Sequence, residues 1–136
     1  MNPWTFYDFL DPRGVNLVRA WLDSLPVKVA AKIDARILYM CTVRMWPEQY
    51  VSALKGWPDI FELRVVSAGS QYRPLCYYGP NRGNVTILHG TIEKGKIPRR
   101  ELEHADGNRR IVEAYPSRVE QHAFRKEPTT GQFQKQ

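Results

Sequence analysis

The chain contains little cysteine and no long hydrophobic run, and both shortages narrow the class of protein. Its two cysteines, Cys41 and Cys76, lack a CxxC spacing and cannot form a disulfide framework, so we interpret them as buried free thiols. No charge-free apolar run approaches the ~20 residues that a membrane span needs. Residues 1–4 lack the basic region and apolar stretch of a signal peptide. We therefore expect a cytoplasmic protein with no membrane partner.

Sequence motifs for cofactor chemistry are also missing. There is no P-loop and no GxGxxG, so a nucleotide cofactor is not indicated. His89, His104 and His122 are far apart and lack metal-ligand spacing, which argues against a zinc site. No GxSxG occurs, and neither cysteine is flanked in a way typical of a nucleophile. The sequence predicts neither a cofactor nor a metal.

Positive charge is concentrated in one third of the chain. The 136 residues, 43% hydrophobic and 25% charged, suit a single globular domain with a net charge of +6. Between Glu62 and Arg100, seven basic residues face two acidic ones, a surplus of +5. The basic residues are Arg64, Arg73, Arg82, Lys94, Lys96, Arg99 and Arg100. Such density suits phosphate binding, although many soluble proteins without an anionic partner are as basic overall.

Hydrophobic periodicity predicts one strand followed by two helices in the first third of the chain. Residues 4–10 are aromatic-rich and predict a strand. Asp11 and Pro12 predict the start of a helix, with the carboxylate as N-cap and proline at the first helical position. Pro26 opens a second amphipathic helix that extends to about Arg44. The two helices form a hairpin whose apolar side must pack on another layer.

That layer is predicted to be a sheet. Residues 60–67, 71–78 and 85–92 predict three strands, and the turns between them favour antiparallel pairing. Residues 46–47 and 56–59 are turn-rich, and Pro98 begins a short helix that ends near Arg110. The expected fold is α+β: a twisted antiparallel sheet with an N-terminal strand, packed by an N-terminal helical hairpin and a short C-terminal helix. We assign residues 1–115 to this domain and 116–136 to a polar tail.

The candidate site residues lie on the predicted strands. Alternation places Glu62 and Arg64 on one face, and Arg73 follows on the next strand. Two arginines close together are tolerated when an anion binds between them, or when Glu62 pairs with both on an ordinary solvated face. His89 is a satisfied core histidine on one interpretation and a general acid or base on the other.

The densest basic cluster follows the last strand, at residues 93–100. Lys94, Lys96, Arg99 and Arg100 lie there, and the helix opening at Pro98 points its first amide groups at the same loop. Phosphate binding is physically reasonable at this position, and a solvated loop is the alternative.

Several short segments are uninformative one by one, but together and in their order they form a specific pattern. They are residues 54–64 (LKGWPDIFELR), Gly69, residues 72–73, residues 87–90 (ILHG), Lys94, Pro98, Glu101 and Ala105. About half the chain, in this order, resembles the RelE/ParE superfamily of bacterial toxins, with the phage-derived HigB-like branch the nearest part of it.

The resemblance implies the toxin of a type II toxin–antitoxin system, a ribosome-dependent endonuclease that cleaves mRNA without a metal. The ribose 2′-hydroxyl would attack, with Arg73 clamping the scissile phosphate, Lys94 on the leaving-group side and Arg64 stabilising the developing charge. His89 is a candidate for proton transfer by its chemistry. The predicted RNA-binding residues are Lys55, Lys96, Arg99 and Arg100. A helix-turn-helix antitoxin is the implied protein partner, beside mRNA on the ribosome.

The chain departs from that family in ways that keep other functions open. Glu62 stands where RelE carries a lysine. Thr91 and Glu93 replace an aromatic and one lysine of a Lys-Lys pair that are usual in the phage-derived branch. The alternatives are a non-enzymatic, ParE-like toxin that binds gyrase, and a catalytically inactive phage-derived remnant, because the fold alone does not decide among them.

Overall fold

The structure, a computed structural model, describes residues 2–124. The helices there are α1 (Leu17–Ser24), α2 (Val27–Thr42) and α3 (Arg99–Ala114), with a short 3-10 helix at Glu48–Tyr50. The strands are β1 (Thr5–Phe9), β2 (Val51–Leu54), β3 (Trp57–Leu63), β4 (Val65–Ser67), β5 (Ser70–Tyr78), β6 (Asn84–Ile92) and β7 (Val119–Gln121).

The sheet is mixed, so the predicted antiparallel sheet is correct only in part. Its order is β2-β3-β5-β6-β1-β7, and β4 pairs with β5. Strands joined by short turns pair antiparallel, as predicted, but β1 runs parallel to β6 in a register that includes Thr5↔Asn84. A short connection sets the direction of the strand that follows it. No such connection joins β1 to β6, so no local pattern encodes their relative direction.

The sheet is buried on both faces, which confirms the α+β class and the packing of the helical hairpin. Helices α1 and α2 cover one face, where residues such as Ile33 pack in one cluster with Leu63. Helix α3 covers the other face, where Leu102 packs in a second cluster with Leu75 and Leu88. Strand β6 contacts α1 on one side and α3 on the other, so it packs against both helical layers.

Helix α1 begins later than the predicted start at residues 11–12. Its N-cap is Asn16, whose side chain accepts a hydrogen bond from the Arg19 backbone N–H at 2.8 Å. Asp11 closes a turn instead, because its carboxylate accepts from the backbone N–H groups of Arg13 and Val15, each at 2.9 Å. Both residue types are good caps and turn formers, so composition alone did not decide between them.

The predicted turn at residues 56–59 is largely strand. Gly56 has a φ of +85°, a backbone conformation that glycine adopts at no steric cost, and it turns the chain between β2 and β3. Strand β3 then begins at Trp57, and Pro58 lies in its first half. Strand β2 was not predicted, because its four residues are too few to show a period.

The predicted tail contributes to the sheet. Residues 119–121 form β7, which pairs antiparallel with β1, and His122 directly after it is buried. The remainder, residues 125–136, lies outside the described residues, and the division into a domain of 1–115 and a tail stays a prediction.

Candidate functional site

Glu62 is a buried carboxylate with an arginine on either side. It lies near the end of β3 and is 3% exposed. Its Oε1 accepts a hydrogen bond from Arg64 Nε at 3.1 Å. Arg73 Nε lies 3.0 Å from Oε2, an ion pair at contact distance whose angle does not suit a hydrogen bond. The structure therefore brings the two predicted arginines together around one negative charge, the ion-paired arrangement that the sequence left as one of two alternatives.

Backbone geometry explains why Arg64 and Arg73 meet. Arg64 occupies the single-residue break between β3 and β4, where its own N–H donates to the carbonyl of Tyr50 at 2.9 Å. Arg73 pairs with Thr91 on β6, and its Nη1 donates to the carbonyl of Gly95. The side chain of Arg73 is 11% exposed and that of Arg64 45%. Arg73 is thus held firmly from two sides, and Arg64 is presented to solvent.

A groove of about 510 Å³ opens beside this pair, and we call it the basic groove. Its walls come from α2, the 3-10 helix, β4 and β5. The lining residues are Lys32, Arg36, Gln49, Tyr50, Arg64, Val65, Val66, Gln71 and Arg73. Four of these side chains are cationic and none is acidic. A surface of this kind attracts anions.

Sequence reasoning missed two of the four cations, Lys32 and Arg36. They are four residues apart on the polar side of α2, a spacing that places them on one helix face. That signal was present in the sequence. Their meeting with the strand arginines was not, because it depends on how α2 crosses the sheet.

Arg73 also lines a second, smaller cavity of about 240 Å³, together with Lys55 and Lys96. Lys55 and Lys96 also line a wider groove of about 810 Å³ beside α3, together with Arg99. The wider groove contains Asp59, Glu103 and Asp106 as well, and Arg99 Nε lies 3.3 Å from Glu103 Oε2. Three of the four predicted RNA-binding residues therefore share one region, but acidic groups offset part of its charge.

His89 occupies a different environment from the arginines. Its position on β6 is diagonal to Arg73, since Leu75 pairs with His89 and Arg73 with Thr91. It lines a separate cavity of about 200 Å³ with Trp21 and His104.

Helix α3 fixes the His89 ring. His89 Nε2 lies 3.0 Å from Glu101 Oε1, and the rings of His89 and His104 are 4.5 Å apart. The hydrogen bond with His89 lowers the pKa of Glu101. Burial, followed by the charge of His89, lowers the pKa of His104. A histidine held by a carboxylate is oriented for proton transfer, but its cavity is not the one that Arg73 lines.

The two remaining candidates are exposed. Lys94 lies in the loop between β6 and α3. Arg100 is in the first turn of α3, with its Nε 3.7 Å from Glu101 Oε2. Neither contributes to the Glu62 pair in the structure.

The cysteines are free and buried, as predicted. Complete burial raises the pKa of Cys76 well above its ordinary value, which disfavours the thiolate form. Among residues 2–124, no group of three or more His, Cys, Asp or Glu side chains is arranged to hold a metal ion. Within the same range, no helix has the length and apolar character needed to cross a membrane.

The fold and the groove together define a class: a small α+β domain with a groove, lined by four cationic side chains, between α2 and strands β4 and β5. Comparison with known families matches residues 20–110, about two thirds of the chain, to the family described as phage-derived protein Gp49-like (DUF891). The chain belongs to this family, which is a toxin family of the RelE/HigB type. Comparisons with curated proteins and with solved structures gave no match.

Proposed function

We propose that this protein is the toxin of a type II toxin–antitoxin pair and that it cleaves mRNA on the ribosome. The observation that carries the proposal is the Arg64–Glu62–Arg73 cluster at the wall of a groove with four cations and no acid. The chain's membership of a toxin family of the RelE/HigB type supports the same function. It also supports a helix-turn-helix antitoxin as the protein partner. A protein that only binds gyrase has no need of convergent cations for one phosphate.

In the proposed reaction, the ribose 2′-hydroxyl attacks the neighbouring phosphorus. The new 2′-O–P bond forms as the P–O5′ bond breaks, which leaves a 2′,3′-cyclic phosphate and a 5′-hydroxyl. A base takes the 2′-hydroxyl proton, and an acid returns one proton to O5′. This chemistry needs no metal, because the cations of the protein stabilise the phosphorane charge.

Each candidate residue has a part in this scheme. Arg73 clamps the scissile phosphate through its guanidinium, since Glu62 and the Gly95 carbonyl already fix its direction. Arg64 and Lys94 add positive charge from more exposed positions. His89, oriented by Glu101, has the chemistry for one of the two proton transfers, although it lines a different cavity from Arg73. Lys55, Lys96, Arg99 and Arg100 would hold flanking phosphates.

The test is induced expression in a bacterial host, with growth and mRNA 5′ ends measured together. Wild type is compared with Arg73→Ala, Arg73→Lys and the control Arg82→Ala. Arg82 is exposed in the turn at the other end of β5, so its loss removes the same charge away from the groove. We expect growth arrest with new in-frame cuts for wild type and Arg82→Ala. Both Arg73 variants should lose cleavage by about 10²–10³-fold, since a lysine cannot bind phosphate bidentately.

Three outcomes would contradict the proposal. Unchanged cleavage by a folded Arg73→Ala protein removes Arg73 from the reaction. Arrest without mRNA cuts indicates a gyrase-type target, and no arrest by wild type indicates a remnant without activity.

A further inference from the structure

The two helix cations of the basic groove are held in place by the backbone. Lys32 Nζ donates to the carbonyl of Val66, and Arg36 Nη1 donates to the carbonyl of Arg64 at 2.6 Å. An ammonium has three donors and a guanidinium five, so each contact uses only part of the side chain's capacity. Fixed cations with donors to spare lose less conformational entropy on binding an anion than freely rotating ones.

Arg36 is also fixed by an aromatic ring. Its guanidinium carbon lies 3.8 Å from the centroid of the Tyr50 ring, and the Tyr39 ring meets Tyr50 edge-on at 5.9 Å. This stack orients the guanidinium plane at the wall of the groove. Arg36 is therefore positioned by two independent contacts before any ligand arrives.

The positive charges that line the groove outnumber the negative charge beside it. Lys32, Arg36, Arg64 and Arg73 line it, and Glu62 is the acidic group paired beneath two of them. Like charges that line one groove repel each other, and an anion bound between them relieves that repulsion. The surplus of three positive charges points to a ligand with more than one negative group.

We propose that the basic groove binds the phosphodiester backbone of the RNA strand next to the bond that is cut, with Lys32 and Arg36 each contacting a phosphate. This rests on the proposed function, because Arg73 belongs both to the groove and to the pair that would hold the scissile phosphate. Lys32 and Arg36 are four residues apart on α2, about 6 Å along its axis. That separation suits neighbouring phosphates of a single strand. The strand thus runs along the side of α2 before it reaches Arg73.

The experiment measures binding apart from cleavage. The probe is a fluorescent, single-stranded 2′-O-methyl RNA oligonucleotide, which has no free 2′-hydroxyl and cannot be cut. Its dissociation constant is measured by anisotropy at several salt concentrations for wild type, Lys32→Gln, Arg36→Gln and the control Arg82→Gln. We expect each groove variant to bind about five- to tenfold more weakly. The slope of log K against log salt should fall by about 0.7 for each, the value for one lost contact to a single strand. Arg82→Gln should retain the wild-type slope.

Three results would overturn the proposal. The first is groove variants with the wild-type slope, and the second is an equal loss for Arg82→Gln, which would mean that only net charge matters. The third is tighter binding of poly-glutamate than of the RNA probe, which would indicate a groove for an acidic protein segment. Thermal melts confirm folding, and Lys32→Gln keeps the test valid if loss of the Tyr50 stack unfolds Arg36→Gln.

Failure of the groove and failure of the proposed function are distinguishable. If the groove proposal alone is wrong, Lys32→Gln binds the probe normally while Arg73→Ala still abolishes cleavage in cells. If only the nuclease function is wrong, wild type cuts no mRNA but the groove variants still show the smaller salt slope.

Discussion

At the scale of single residues, Glu62 has the most demanding environment in the candidate site. Burial of a carboxylate is costly unless it is paired, and Arg64 and Arg73 supply the pairing. The same contacts fix the direction of Arg73. Glu62 thus neutralises part of the positive charge beside the groove, and it also fixes the orientation of Arg73.

Glu62→Gln should separate these two effects. We expect a loss of about 2–3 kcal/mol in the free energy of unfolding, less than for a fully buried pair because Arg64 is half exposed. Affinity for the 2′-O-methyl RNA probe should rise, since the groove gains one net positive charge. mRNA cleavage should fall, since Arg73 loses the carboxylate that orients it. Urea unfolding, anisotropy and mapping of mRNA ends measure the three quantities.

The matched control is Glu103→Gln, which removes an exposed carboxylate paired with Arg99 on α3. Exposed pairs contribute little, so unfolding should change by less than about 1 kcal/mol. If Glu62→Gln is as mild as this control, Glu62 does not hold the arginines in solution.

At the scale of elements, β6 packs against α1 on one face of the sheet and against α3 on the other. Its Gly90 lies against Trp21 of α1: a Cβ built there would be 2.2 Å from Cδ2 of the indole. The residue before it, His89, is directed toward α3. Because Gly90 has no side chain, α1 can pack closely on one face of β6. His89, the neighbouring residue, contacts α3 on the opposite face.

Gly90→Ala should destabilise the protein through this contact. A methyl group forces Trp21 or α1 to move, and overpacking of this kind costs roughly 1–3 kcal/mol. The change is measured by chemical unfolding, and the tryptophan fluorescence of the folded protein should shift with it, since Trp21 is one of the four tryptophans. Gly107→Ala is the control, since nothing lies within 4 Å of a Cβ at that position in α3. It should raise stability by about 0.5–1 kcal/mol, as alanine favours a helix over glycine. Equal effects of the two substitutions would contradict the packing argument.

The elements differ in how well their sequence predicts them. Helix α2 and strands β5 and β6 are long enough to show their period, and their bounds agree closely with the prediction. Strands β2 and β7 have four and three residues, and their existence depends on partners elsewhere in the chain. Local patterns therefore predicted the centre of the sheet and not its edges.

At the scale of the whole molecule, local sequence patterns predict only the part of the candidate site that neighbouring strands form. The pairing of Glu62 with Arg64 and Arg73 follows from alternation on adjacent strands, and the sequence included it as an alternative. The contribution of Lys32 and Arg36 depends on how α2 crosses the sheet, which no local pattern records. His122 was assigned to a tail, yet it joins three distant parts of the fold.

The His122 cluster links β1, α2 and the segment after β7. His122 Nδ1 lies 2.7 Å from Asp8 Oδ1, and Nε2 lies 2.8 Å from Asp34 Oδ1, with the imidazole fully buried. Asn16 donates to the other oxygen of Asp8 and to Glu120, which extends the network to α1 and β7. Burial alone would lower the pKa of His122, but the hydrogen bonds that its ring donates to both aspartates outweigh that effect and raise the pKa to about 9.

This cluster should make stability fall with rising pH. The folded pKa of His122 is about 9 and the ordinary value is 6.5, so the stabilisation is complete below pH 6.5. It declines as pH rises through 9, by on the order of 3 kcal/mol in total. His122→Gln cannot titrate, so the difference in unfolding free energy between wild type and this variant should shrink over that window. His104→Gln is the control, because the pKa of His104 is lowered, and the wild-type pH dependence above 6.5 should persist. The thiols of Cys41 and Cys76 titrate in the unfolded chain of every variant, so their effect cancels in the comparison. A difference that stays constant from pH 6 to 10 would show that the imidazole is not charged between the aspartates.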